Sequence, residues 1–276
     1  MSPIIAKPVC HDLTAPYPLT PAQLAQFRAQ GFIKLKNVLS AATLDDYGRE
    51  ITAQVVRLNA LRKPMHERTT YEKAFLQVMN IWTKSAVVKE FVFSQRLARI
   101  AAELMGVPGV RLYHDQALYK EPNGGITPWH ADQYYWPVDT DNTCTVWIPL
   151  QATPREMGPL AFSATSHKCN FGRTLAISDE SEKRISKELL DRQLPQVEEP
   201  FDLGEVSYHY GWTFHRAGVN ASPHPRQVMT VIYMADGCHA IKPQNKNHSA
   251  DLETWLPGLK PGDLAASPLN PLLYRA

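Results

Sequence analysis

Gln227-Val228-Met229-Thr230-Val231-Ile232-Tyr233-Met234 is the most strand-like stretch of the chain. β-Branched, aromatic and long apolar residues fill it, and Arg226 opens it directly after Pro225. Working back along the chain, similar stretches recur. Trp212-Thr213-Phe214-His215 follows Gly211, and Glu205-Val206-Ser207-Tyr208-His209-Tyr210 follows Gly204. Earlier come Thr143-Cys144-Thr145-Val146-Trp147-Ile148-Pro149-Leu150 and the run from Val110 to Lys120. Short strands punctuated by Gly and Pro turns point to a sandwich or a double-sheet jelly roll. The 22 prolines agree, because helix interiors tolerate proline poorly.

The first third reads differently. Thr20 is an N-cap candidate with Pro21 at the first helical position, and Gly31 stops that helix before a short strand, Phe32 to Val38. A second helix is expected from Ser40 to about Leu61. A third is expected from about Val87 to Met105, with Phe93, Leu97, Ile100, Ala101 and Leu104 as its apolar stripe and Gly106 as its stop. Helices first and strands afterwards argue against a βαβ parallel sheet. The expected architecture is mainly β with N-terminal helices, a single domain over residues 1–276. Its parts are a helical segment over about 1–109, a jelly-roll core over about 110–240 and a C-terminal extension over about 241–276.

Composition narrows the function. Among 276 residues, 29 Lys+Arg stand against 27 Asp+Glu, a formal charge of +2. This balance excludes a wholly basic nucleic-acid binder and a strongly acidic tail protein. No apolar run approaches the roughly 18 residues of a membrane span. Residues 1–8 show no basic segment followed by an apolar one, so no secretory signal is expected. Cys10, Cys144, Cys169 and Cys238 form neither a C-x-x-C pair nor a zinc spacing. Free thiols in a reducing, cytoplasmic setting are expected. The expected partner is a small-molecule substrate, with no nucleic acid and no membrane; the sequence does not give the oligomeric state.

Nucleotide-binding glycine loops, the G-x-S-x-G elbow and H-E-x-x-H are all absent. What is present is His130-Ala131-Asp132, the H-x-D of the chain. At strand spacing, residues i and i+2 share a face, so both side chains could hold one cation. His215, 85 residues later in the strand-rich half, is the best third ligand for a 2-His-1-carboxylate triad, the arrangement that holds Fe(II) with open positions. Arg226 follows eleven residues on. An arginine facing a barrel interior needs an anion, and a carboxylate fits its fork best. Each element alone has an ordinary reading: a hydrogen-bonded turn for His130 and Asp132, a core histidine for His215. The joint pattern is far sharper.

With these residues the chain resembles the phytanoyl-CoA dioxygenase family of Fe(II)/2-oxoglutarate oxygenases, from about residue 19 onward. Trp129-His130-Ala131-Asp132-Gln133, Thr145 to Leu150, Gly158-Pro159-Leu160, Ser166-His167 and Gly211 to Asn220 with Pro225-Arg226 carry the resemblance. It implies a double-stranded β-helix (jelly roll, cupin-like) with helices packed on one sheet. It implies that His130, Asp132 and His215 bind Fe(II) as the catalytic centre, and that Arg226 pairs with the distal carboxylate of 2-oxoglutarate. Trp147 and Gln116 would lie beside that cosubstrate. Ala217 departs from members with a serine there, which puts one hydrogen bond to the cosubstrate in doubt.

The implied reaction consumes O2 and 2-oxoglutarate, releases succinate and CO2, and hydroxylates an unactivated C–H of a small molecule. The same hydrogen abstraction can instead end in desaturation, cyclisation or epimerisation. Asp132 argues against halogenation, whose enzymes have a small residue in its place. Trp129, Gln133, Tyr135, Trp82 and Phe75 are the candidate substrate contacts, weighed evenly against ordinary barrel packing. Two other classes compete: a cupin-like metal enzyme that does not use 2-oxoglutarate, and a non-catalytic binding module. Arg226 speaks against the first and the complete triad against the second.

Overall fold

The computed structural model describes residues 11–276; Cys10 and the N-terminal stretch read for a signal lie outside the described residues. After α1 (His11–Thr14), α2 (Pro21–Gln30) starts at Thr20, whose side chain accepts from Gln23 N, and ends at Gly31 with φ +88°. β1 (Phe32–Leu35) is shorter than its apolar run. α3 (Ala41–Leu58) is capped by Ser40 and stops short of Leu61. α4 (Thr70–Ala74) and β2 (Leu76–Met79) follow.

The single helix expected from Val87 to Met105 is two: α5 (Ala86–Val92) and α6 (Gln95–Met105). Ser94 causes the break. Its hydroxyl accepts from Leu97 N and so caps a new helix, while also donating to Leu13 O. The apolar stripe survives on α6, where Leu97, Ile100, Ala101 and Leu104 are buried.

The strands are β3 (Gly109–Lys120), β4 (Thr127–His130), β5 (Thr143–Pro149), β6 (Leu160–Ser163), β7 (Gln196–Glu198), β8 (Val206–Tyr210), β9 (His215–Ala217), β10 (Arg226–Ala235) and β11 (Leu272–Arg275). All pairings are antiparallel. One sheet runs β1-β8-β5-β10-β3-β11, with β2 also on β3; the other runs β4-β9-β6-β7. This is the expected jelly roll with helices on one sheet. Two helices depart from the helices-first order: α7 (Asp179–Asp191) and α8 (Lys246–Trp255).

Period-2 alternation sorts the large sheet. Cys144, Val146 and Ile148 of β5, with Met229, Val231 and Tyr233 of β10, join the core beneath α3, α5 and α6. Trp147, Leu118 and Val228 face inward, toward Phe162 and Leu160 of the small sheet. Each fully buried large apolar side chain contributes about 1.5–3 kcal/mol. The helix layer thus anchors one face of the sheet and leaves the other for the cavity. Among the described residues no helix is long and apolar enough to cross a membrane.

Candidate metal centre and cavity

β4 and β9 pair so that His130 stands opposite His215. Their ring centroids are 4.1 Å apart. Asp132 is not on the strand as its spacing suggested. β4 ends at His130, and Asp132 opens a one-turn 3₁₀ helix, Asp132–Tyr135. The turn still brings its carboxylate between the rings: Asp132 Oδ1 lies 3.5 Å from His130 Nε2 and 3.6 Å from His215 Nε2. The three ligand atoms lie within 4.8 Å of one another.

The ligands are held from behind. His130 Nδ1 is 2.7 Å from Pro128 O, and His215 Nδ1 is 3.0 Å from Thr213 O. With Nδ1 as the donor, each Nε2 keeps its lone pair for a metal. Asp132 Oδ2 accepts from Thr145 Oγ1 at 3.0 Å and lies 3.3 Å from His209 Nε2. Burial, then His130, holds His215 well below the usual imidazole range and therefore neutral. Burial opposes ionisation of Asp132, but His215, His130 and His209 outweigh it and hold the carboxyl well below the usual range. Two imidazoles and one carboxylate, with one side open to a cavity, suit a divalent ion such as Fe(II).

The cavity has a volume of about 500 Å³, a common size for a small-molecule site. His114, Gln116 and Leu118 line it from β3, Thr145 and Trp147 from β5, and Arg226 and Thr230 from β10. Arg226 is 1% exposed. Its Nη1 donates to Gly158 O, its Nε has no partner, and its guanidinium stands 5.3 Å from the Trp147 ring. No carboxylate pairs with it among the described residues. Gly158 has φ +65°, and a Cβ there would meet Gly218 O at 2.4 Å, so glycine is required at this carbonyl.

Lys120, the register partner of Arg226, donates Nζ to Gly125 O and is also buried. Burial, then the charge of Arg226, pushes it down to about 6. Arg226 therefore carries the positive charge at this end of the cavity.

Of the other sequence candidates, Gln116 lines the cavity and accepts from Gln77 Nε2 at 2.5 Å, and Gln77 accepts from Tyr71 OH at 2.9 Å. Phe75 and Tyr135 also line it. Trp129, Gln133 and Trp82 lie outside it. Trp129 neighbours His130 on a strand, so it faces the other way, into a core with Phe214, Ile185 and Leu189. The Gln133 side chain ties down the following loop through Thr143 Oγ1 and Thr140 O. Trp82 packs on the helix side, 5.2 Å from the Phe93 ring and beneath Lys89.

Sequence reading missed His209, Thr127, Tyr71 and Asp251, all in the cavity wall. Alternation in β8 puts Ser207 and His209 on the inward face opposite Trp147 and Thr145, a signal that could have found His209.

Fold and site together define a jelly-roll non-haem iron oxygenase that uses 2-oxoglutarate and O2. The chain belongs to the phytanoyl-CoA dioxygenase (PhyH) family, whose profile matches residues 27–228. It is 28% identical over 223 residues to methylphosphonate hydroxylase of Gimesia maris, covering 79% of this chain and 81% of that protein. It is 26% identical over 152 residues to a probable alpha-ketoglutarate-dependent hypophosphite dioxygenase of Stutzerimonas stutzeri; the match spans 54% of this chain and about half, 53%, of that relative. The solved structure of the epimerase SnoN with Fe3+, alpha ketoglutarate and nogalamycin RO shares the fold, with a TM-score of 0.76, 23% identity, and coverage of 92% of this chain and 98% of that one.

Proposed function

We propose that this protein oxidises an unactivated C–H bond of a small organic molecule, by hydroxylation, in a cytoplasmic setting. The residue roles are part of the proposal. His130, Asp132 and His215 hold Fe(II). Arg226 receives the distal carboxylate of 2-oxoglutarate, with Trp147 and Gln116 beside it. Bound there, iron and 2-oxoglutarate would together supply the oxidising power for O2 chemistry, with succinate and CO2 as co-products. The protein's own part is to orient the ligands, to keep the His215 imidazole neutral, and to surround the reacting carbon with a largely apolar wall.

One observation carries the reading: the cavity that receives the triad also receives a buried guanidinium with no carboxylate of its own. Burial alone pushes Arg226 down to about 9, and a carboxylate in the cavity would relieve that cost. The family serine replaced by Ala217 has a substitute. Thr127 stands directly across the ladder from Ala217, lines the cavity, and has a buried hydroxyl without a partner. We assign it the hydrogen bond to the cosubstrate that position 217 lacks.

The substrates named for the curated relatives do not transfer readily. Hypophosphite and methylphosphonate are anions, and among the described residues Arg226 is the one Lys or Arg in the cavity wall. Free thiols at Cys144, Cys169 and Cys238 support the cytoplasmic setting.

The test is anaerobic addition of Fe(II) and then 2-oxoglutarate, followed in the visible spectrum. The expected result is a weak charge-transfer band, lost in His130→Ala and needing far more 2-oxoglutarate in Arg226→Ala. Bound iron without a band would favour the cupin-like alternative. Product analysis then separates hydroxylation from desaturation, cyclisation and epimerisation.

A further inference from the structure

The inner face of β3 runs from Lys120, opposite Arg226, to His114, opposite Ile232. Six residues at about 3.3 Å each put some 20 Å between these rungs. The far end is built around a bulge. Leu112 pairs with Tyr233 and His114 with Ile232, so Tyr113 is an extra residue on β3. It therefore faces inward beside His114 instead of away from it. Tyr113 OH donates to Asp251 Oδ2 at 2.9 Å.

Asp251 lies on α8, which presents Ala250, Asp251, Thr254 and Trp255 to the cavity as one helical stripe. The helix is moored to the turn that carries the metal carboxylate, through His248 Nε2 to Tyr134 O at 2.9 Å and Asn247 Nδ2 to Tyr134 OH at 3.3 Å. Among the described residues, nothing hydrogen-bonds Asp251 Oδ1 and no cation pairs with Asp251. His114 is 4% exposed, lines the same end, and has an Nδ1 without a partner. Trp255 stands 5.1 Å from the His114 ring, and Trp136 stands 5.4 Å from the Tyr113 ring.

We infer that Asp251 Oδ1 and the His114 imidazole, walled by Trp136 and Trp255, bind a protonated amine of the substrate. This rests on the oxygenase reading above and specifies its substrate class. An ammonium offers three donors. Asp251 accepts one with charge and the His114 ring accepts a second through its nitrogen on the cavity side, while aromatic faces favour a cation beside them. A phosphonate or carboxylate at this end would face the Asp251 carboxylate without a counter-charge. Burial pushes Asp251 up to about 7 and His114 down to about 4; a bound ammonium would draw Asp251 back to its carboxylate form and meet a neutral imidazole. The family profile ends at residue 228, eighteen residues before α8 begins, so the subsite's acid lies outside the matched segment.

The experiment is anaerobic calorimetry of the protein with Fe(II) and 2-oxoglutarate, and in parallel without them. The probes are 2-phenylethylamine, its N-acetyl derivative, 3-phenylpropionate and methylphosphonate. The amine should bind at least tenfold tighter than the other three, and Asp251→Asn should weaken it at least tenfold. Asp251→Lys, checked for native near-UV circular dichroism, should move the preference to 3-phenylpropionate. Equal amine binding by wild type and Asp251→Asn, tighter binding of an uncharged or anionic probe, or no heat with the amine overturns the inference. Amine binding that depends on Asp251 without the charge-transfer band would sustain this inference and sink the oxygenase reading; a band without that dependence would do the reverse.

Discussion

Arg226 and Asp251 each bring to the cavity an ionisable group left without a counter-charge among the described residues, and they are built in different ways. Arg226 is almost wholly buried, fixed by a strand register and by the Gly158 carbonyl. Asp251 is half-buried, delivered by a helix outside the barrel and held by the hydroxyl of a bulged tyrosine. A deep cation on a strand suits a cosubstrate that stays the same from one reaction to the next. A shallower acid on an appended helix suits a group that differs between substrates. The candidate iron triad belongs with the first kind, since two paired strands and one turn set it.

Predictions that would break this comparison begin with the triad. Asp132→Ala should abolish iron binding and cost several kcal/mol of transition-state stabilisation, about 10³-fold or more in succinate release. Arg226→Ala should cost about 2–5 kcal/mol in 2-oxoglutarate binding, read as a rise in its KM of about 30-fold or more. Binding of the amine probe should change little, because it sits at the other end. An equal loss of both would mean that the two ends do not act separately. His209→Phe removes the ring beside Asp132 Oδ2 and should weaken iron affinity about 10–100-fold, measured by competition with a chelator. Thr127→Val should raise the KM for 2-oxoglutarate about fivefold, the value of one hydrogen bond near 1 kcal/mol.

A separate effect is expected in stability. Asp251 and the fully buried Asp115 are both raised by burial to about 7 from 3.8. Between these values the folded chain binds more protons than the unfolded one, so stability falls as pH rises from about 4 through 7 and levels off above. Asp251→Asn should remove its share of that slope in denaturation curves recorded at several pH values, and leave the share of Asp115.

The sequence made the deep end legible because its residues are close in type and fixed in spacing. His130, His215 and Arg226 stand at strand ends and Asp132 in the turn just past β4, so the order of elements already hints at convergence. It misplaced three aromatic and amide candidates for a simple reason. Trp129 and Gln133 are near the ligands in sequence, but alternation turns Trp129 outward and the 3₁₀ turn folds Gln133 onto Thr143. Trp82 follows β2 but packs beneath the helices. The broken helix at Ser94 was missed because an apolar stripe continues past a capping residue that also occurs inside helices.

By itself the sequence determined the jelly roll and the helical layer, and it singled out the candidate ligand set and the arginine proposed for the cosubstrate carboxylate. Those follow from alternation, turn residues and motif spacing, which are properties of the chain read in order. Only the tertiary structure decided that His209 stands behind Asp132, that Thr127 faces the gap left by Ala217, and that Asp251 meets Tyr113 across 138 residues. Such contacts depend on register, a single bulge and the docking of a distant helix, and no local pattern encodes where those bring two side chains together.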